Sequence, residues 1–372
     1  MRSFSLGALF GLVALVLAPG CSTSAASSSA DAKPVLVDLT NNVILPTYRA
    51  VDASAGTLLA ATKALEAAPS ADTLAAAQSA WRAARKAWHE SEAFRFGPVK
   101  TKDITSAVDF WPARGETIDA LLAGQDPLTA ASVEALGANA RGYQGLEYVL
   151  FDSTAGNAAV LLKLTTDPLA KRRLAYASAV AEHVKGKTGE LLAAWEPASG
   201  NFAREITEAG SGAALFPSGK AAVDQIVNST VFAVDLVTGT KLGKPSGTKS
   251  GGSPLPDQEE SPRSDNSLAD MLDTLDGARS VYTGALGPTD GKGISDLVRA
   301  KNPALDDRVI VAFDDAKAKI AAIPPPFRTA ITGQRPAVEA AYQACRTLKN
   351  TMATEVANTL ATTLQFNDND GD

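Results

Sequence analysis

Apolar residues recur at spacings of three and four along most of this chain. Leu74, Ala77, Trp81, Ala84 and Trp88 form one stripe, and Val223, Ile226, Val227, Val231, Val234 and Val237 a second. Leu268, Met271, Leu275, Ala278 and Tyr282 form a third; Val338, Ala341, Cys345, Leu348 and Met352 form a fourth. This period puts each set on one face of a helix. Alternating strand-type patterns are scarce. Further helices are expected over 35–68, with a kink at Pro46, and over 306–323 and 336–364. Asp167-Pro168 reads as an N-cap followed by proline at the first helical position, opening a helix that runs to about Trp195. Ser70 is placed to cap the helix that follows it. The segment 102–127 reads as irregular, with short helical pieces.

About four long helices fall in each half of the chain. The simplest arrangement is all-α: two packed up-and-down helical bundles, with scope for internal pseudo-symmetry although no sequence repeat is visible. Residues 34–205 make the N-terminal bundle. Gly and Pro signals between Asn201 and Pro217 mark the boundary. Residues 218–372 make the C-terminal bundle, with a Gly/Ser/Pro-rich loop insertion at 243–265, long enough to carry function or to be disordered.

Two carboxylates sit where the pattern calls for apolar residues. In Arg141–Phe151, Glu147 lies four residues after Tyr143 and three before Leu150, on the apolar face. Glu92 lies four beyond Trp88 and extends that stripe, with Arg95 three residues on as a partner. A buried carboxylate is costly unless paired, hydrogen-bonded or metal-bound. Gly142 and Gly145 weaken the Arg141–Phe151 helix and leave room for a neighbouring helix or a ligand. Gln144 is a helical neighbour of Glu147. Two readings stay open: a helix packed through its glycines with Glu147 bonded to an Arg of the next helix, or a polar site set in a helical core.

His89 and Glu92, three apart, are a possible metal pair. Ala93 at the place of a second histidine excludes the H-E-x-x-H motif of zincins, and His89 flanks the tryptophan seam, so it reads as a surface histidine. Ser267 and Asp270 have the spacing of a capping box, which alone would account for both.

The first 20 residues read as a signal peptide: a short basic start, an apolar stretch and a small-residue cleavage site. Cys21 follows directly, as the lipidated first residue of a bacterial lipoprotein would, and 21–33 reads as a flexible tether. This places the mature chain in the bacterial cell envelope, lipid-anchored and facing the periplasm. Ser22 gives no retention-type Asp, which favours the outer membrane. Cys345, the other of two cysteines, has no partner and falls on an apolar stripe as a buried thiol. The formal net charge of −6 argues against nucleic acid. The acidic run 366–372 lacks the spacing of an EF-hand loop.

Several stretches taken together resemble the imelysin-like family, catalogued as peptidase M75. They are Ala87–Pro98 (AWHESEAFRFGP), Asp109–Pro112 (DFWP), Gly142–Glu147 (GYQGLE), Glu260–Asp270 (ESPRSDNSLAD) with Tyr282–Gly284, and Leu364–Asp372. The resemblance implies a helical fold of two related bundles, a lipoprotein or periplasmic location, and an association with iron regulation or uptake. It also implies a metal or active site at a G-x-H-x-x-E motif near the junction of the halves. Gly142 and Glu147 match that motif, and Gln144 stands in place of the histidine. A neutral amide is a poor ligand for zinc, copper or iron and no general base. Glu92, Arg95, Trp111, Ser267 and Asp270 match recurrent positions of the family and are expected to line the same cleft as Gln144 and Glu147.

The expected function is a non-catalytic envelope protein linked to iron or metal uptake. Its ligand is a metal ion or a small molecule, and an envelope protein is its partner. Glu92 and Glu147, aided by Asp270, would hold hard Fe(III). The alternatives are an M75-type metallopeptidase and a partner-binding module in which these carboxylates only form ion pairs.

Overall fold

The computed structural model describes residues 28–365. The signal segment, Cys21, residues 21–27 of the tether and the acidic run 366–372 lie outside the described residues. Within them every regular element is a helix, as the periodicity predicts. Those that build the two groups and the site are α1 (Ser28–Asp38), α2 (Leu45–Ala67), α3 (Ala71–Glu90), α4 (Gly142–Leu150), α5 (Ala170–Trp195), α6 (Gly219–Asp235), α7 (Ser267–Thr283), α8 (Pro303–Ala321) and α9 (Arg335–Asn350). No helix among the described residues is long and apolar enough to cross a membrane.

Helices α2, α3, α4 and α5 pack on one another, and so do α6, α7, α8 and α9. The two groups meet along α3 and α7, and where α6 passes the turn Ser91–Phe94. Segment α1 packs on α6, so it leaves the first group although it runs continuously into α2. A π-helical stretch, Leu39–Ile44, joins α1 to α2 just before Pro46, which lacks the N–H a regular helix would use there. Ser70 caps α3, its hydroxyl accepting from the Thr73 amide. Helix α5 starts at Ala170, two residues later than Asp167-Pro168 suggests, because Asp167 Oδ1 instead accepts from the Leu169 amide in the preceding turn.

The apolar stripes face inward as read. Trp81, Trp88 and Trp195 are fully buried, and Trp81 Nε1 donates to the Tyr143 carbonyl at 2.9 Å. Each such side chain contributes on the order of 2–3 kcal/mol of apolar burial. Cys345 is a buried free thiol. The glycines of α4 serve packing. Gly142 has φ +71°, and a Cβ there would lie 2.4 Å from the Val108 carbonyl oxygen. A Cβ on Gly145 would lie 2.5 Å from the Tyr176 hydroxyl. The loop 243–265 is folded against the groove between the two groups. Its last residues supply Glu260 and Ser261 to a buried polar cluster, Glu259 and Arg263 to the cleft beside it, and Ser264 to Glu147.

A polar cluster and cleft between the helix groups

Arg85 is the hub of this centre. It follows Trp81 by four residues and precedes Trp88 by three, so α3 points it into the core, where it is fully buried. Its guanidinium bonds to Asp109 through one nitrogen, and to Glu260 and Asp270 at 3.1 Å each through the other. Burial works against this charge, but Asp109, Asp270 and Glu260 overcome it and hold the pKa well above the ordinary value.

His89, one turn further along α3, is buried as well, against its reading as a surface histidine. The crossing of α7 over α3 covers the side that the seam alone leaves open. Its Nδ1 lies 2.9 Å from Lys241 Nζ and 3.2 Å from Glu92 Oε2, and its Nε2 lies 3.2 Å from Asp270 Oδ1, off the N–H direction. Lys241 comes from the π-helical stretch Leu236–Gly243 that extends α6. Its ammonium is also 3.0 Å from Glu260 Oε2 and 3.1 Å from Glu92 Oε2. Burial disfavours the ammonium, yet Glu260, Glu92 and Asp270 raise its pKa. Burial, Lys241 and Arg85 lower the pKa of the imidazole, but Asp270 and Glu92 outweigh them and raise it to about 9.

Glu92 is placed by the 3-10 turn Ser91–Phe94 beyond α3 rather than by the helix itself, and it is buried as expected. Arg95 pairs with its Oε1 at 2.9 Å, and the Thr274 hydroxyl donates to Oε2 at 2.6 Å. Burial pushes this carboxyl up; Lys241, His89 and Arg95 hold it well below the usual range. Asp270 behaves alike: Arg85, His89 and Lys241 overcome its burial and depress it. Its oxygens also accept from the Ser261 hydroxyl at 2.5 Å and from Asn266 at 2.7 Å. Ser267 and Asp270 do not form a capping box. Asn266 is the residue that precedes the helix, and Ser267 Oγ accepts from the Ser261 amide and reaches Glu259 at 3.3 Å.

Glu147 lies apart from this cluster. No arginine of a neighbouring helix holds it; Oε1 accepts from the amides of Arg263 and Ser264 at 3.1 and 2.9 Å and from the Ser264 hydroxyl at 2.7 Å. Burial still outweighs these donors and lifts its pKa to about 7. Burial does the same to Glu259, also to about 7, against the opposing Arg328. A carboxyl whose folded pKa exceeds its unfolded value holds its proton better in the folded state. Stability is then full below the unfolded pKa and falls as pH rises through the folded one. For Glu147 the displacement from 4.5 to about 7 corresponds to about 3 kcal/mol lost over that range. Glu147→Gln is expected to remove most of this loss in urea denaturation at the two ends of the window. An unchanged pH slope in the variant would contradict it. Asp270 and Glu92, with depressed pKa values, lose their contributions only below this window.

A cleft of about 400 Å³ opens above the cluster. Trp111, Gln144, Glu147, Glu259 and Glu260 line it together with Arg263 and Arg328. Trp111 is fixed by its indole N–H, which donates to the Glu259 carbonyl at 3.0 Å. Gln144 Nε2 is at the 3.5 Å limit of hydrogen bonding to Asp109. Of the seven residues expected to line one cleft, Trp111, Gln144 and Glu147 do so. Glu92, Arg95, Ser267 and Asp270 are not among its lining residues and belong to the polar network behind it. Glu260 joins the two layers, lining the cleft while pairing with Arg85 and Lys241.

Among the described residues, two sets of three ligand atoms converge within 4.8 Å: His89, Glu92 and Asp109, and His89, Glu260 and Asp270. Glu147 is in neither. Sequence reasoning missed Arg85, Lys241, Asp109, Glu259 and Glu260. The first two had a signal. Arg85 sits within the tryptophan seam, and Lys241 follows the inward-facing Val237 by four residues.

An all-helical chain with buried ionic groups between two four-helix groups is the class of protein defined so far. The imelysin (peptidase M75) family profile matches residues 44–352, and the chain belongs to that family. It is 28% identical over 303 residues to iron-regulated protein A of Synechococcus elongatus, covering 79% of this chain and 77% of that protein. A crystal structure described as an iron-regulated protein A precursor from Parabacteroides distasonis superimposes with TM-score 0.79 at 24% identity, covering 91% of this chain and 97% of the other. An imelysin-like protein from Psychrobacter arcticum gives TM-score 0.73 at 18% identity, over 91% and 98% of the two chains. These two likenesses establish the fold.

Proposed function

We propose that this chain is a cell-envelope lipoprotein, anchored through Cys21 and facing the periplasm, that binds a ligand of iron uptake without catalysis. The ligand sits in the cleft between the two helix groups. The observation that carries this reading is the cleft itself. Its inner wall presents Glu147, Glu259 and Glu260, and Glu259 Oε1 is buried without a hydrogen-bond partner. Carboxylate oxygens suit a hard cation such as Fe(III), and Arg263 and Arg328 at the same cleft suit anionic groups that accompany it. The relatives described as iron-regulated supply the link to iron.

A metallopeptidase of the M75 type is the second reading. Hydrolysis needs a metal with an open coordination position and a positioned base. Gln144 offers no base, and the carboxylates near His89 are already paired with Arg85, Arg95 or Lys241. The deciding experiment measures metal content by mass spectrometry after incubation with Fe(II), Fe(III), Cu(II) and Zn(II), on protein beginning after Cys21. About one equivalent of retained iron is expected, lost in Glu147→Ala while the fold is kept. Absence of retained iron would sink the iron reading; chelator-sensitive cleavage of an unfolded protein substrate would restore the peptidase.

A further inference from the structure

The imidazole of His89 is the best transition-metal ligand in the buried cluster, and both of its nitrogens face carboxylates. Beside Nε2 stand Asp270 Oδ1 at 3.2 Å and Glu260 Oε1 at 3.9 Å. The guanidinium of Arg85 already bonds that Glu260 oxygen and the other oxygen of Asp270. Beside Nδ1 stands Glu92 Oε2 at 3.2 Å, and here the cation is Lys241. Its Nζ lies 2.9, 3.0 and 3.1 Å from His89 Nδ1, Glu260 Oε2 and Glu92 Oε2. One imidazole and two carboxylates around a single point are a donor set suited to Zn(II) or Fe(II).

We infer that the Lys241 ammonium occupies the position of a metal ion in this chain, and that the cluster is a latent divalent-metal site closed by that lysine. The charges agree. The cations of Arg85, Arg95 and Lys241 contact the four carboxylates Glu92, Asp109, Glu260 and Asp270. Loss of Lys241 leaves Glu92 and Glu260 without the cation that stands between them, a position a divalent ion fills. A metal at the vacated point draws each donor inward by just under 1 Å to reach about 2.0–2.2 Å. The His89–Glu92 approach of 3.2 Å already matches the ligand–ligand spacing of such a site. The inference also explains how a chain with Gln144 at the motif histidine keeps so many acidic groups buried: a covalently attached cation balances them.

The test has two arms. Lys241→Ala is titrated with Co(II) and Zn(II), followed by the visible absorption of bound Co(II) and by metal content after gel filtration. About one equivalent of tightly held metal is expected, lost again in Lys241→Ala/His89→Ala. If Lys241→Ala folds poorly alone, added Zn(II) is expected to restore its folded signal by binding only the native state. The second arm uses the wild-type chain labelled with ¹⁵N-histidine. Its His89 ring signals are expected to stay in place on addition of one equivalent of Zn(II), whatever binds in the outer cleft. A folded Lys241→Ala that takes up no metal, a Lys241→Ala that zinc fails to refold, or a wild-type His89 that coordinates zinc would each overturn the inference. None of these readouts depends on iron at Glu147, so the functional proposal and this one fail separately.

Discussion

Arg85→Met is expected to cost at least about 3–5 kcal/mol of folding stability, the range for removing one partner from a buried ion pair. The side chain is wholly buried and is shared by Asp109, Glu260 and Asp270. Methionine restores much of the volume, so the loss reports the abandoned charges rather than a cavity. It also keeps contact with the rings of Trp81 and Tyr143, over which the guanidinium sits 5.6 and 5.8 Å from the centroids. Urea denaturation with an unchanged m-value measures the effect. The loss is expected to shrink as pH falls, since protonation removes the unpaired charges. A change below about 1 kcal/mol would mean that the carboxylates do not depend on Arg85.

The second large effect is expected at the crossing of α3 and α7. A Cβ on Gly277 would lie 2.0 Å from the Glu90 carbonyl oxygen and 2.6 Å from its carbon, both backbone atoms that cannot rotate away. Gly277→Ala therefore forces the helices apart and is expected to destabilise by about 3 kcal/mol, the upper end for overpacking. Because α7 carries Asp270 and Thr274 against His89 and Glu92 of the α3 end, the shift also loosens the ionic cluster. Gly186 in α5 supplies the control. Nothing lies within 4 Å of its added Cβ, and Gly186→Ala is expected to stabilise by about 0.5–1 kcal/mol through helix propensity alone. Thermal midpoints that move in opposite directions for the two variants confirm the crossing; a downward shift in both, or a neutral Gly277→Ala, contradicts it.

Legibility differed by residue. Glu92 and Glu147 were visible because each interrupts a local apolar period, and the pairing of Glu92 with Arg95 followed from a spacing of three. The partners of Glu147 were not visible. They are two main-chain amides and one serine hydroxyl of a loop more than 110 residues away, and main-chain donors leave no trace in residue identity. His89 was misread because a helix flanking position is buried or exposed according to what crosses it, here α7.

The sequence by itself determined the helices, their inward faces, the family and the two carboxylates that do not belong on those faces, since all of these are written in local spacing and side-chain type. Only the tertiary structure decided what neutralises them. The cations of the cluster come from α3, from the turn after it and from the end of α6, and its carboxylates from four separate stretches of chain. Coulombic pairing acts through space and falls with distance, so no reading along the chain ranks Lys241 beside His89. That ranking turns an apparent metal site into one that carries its own cation.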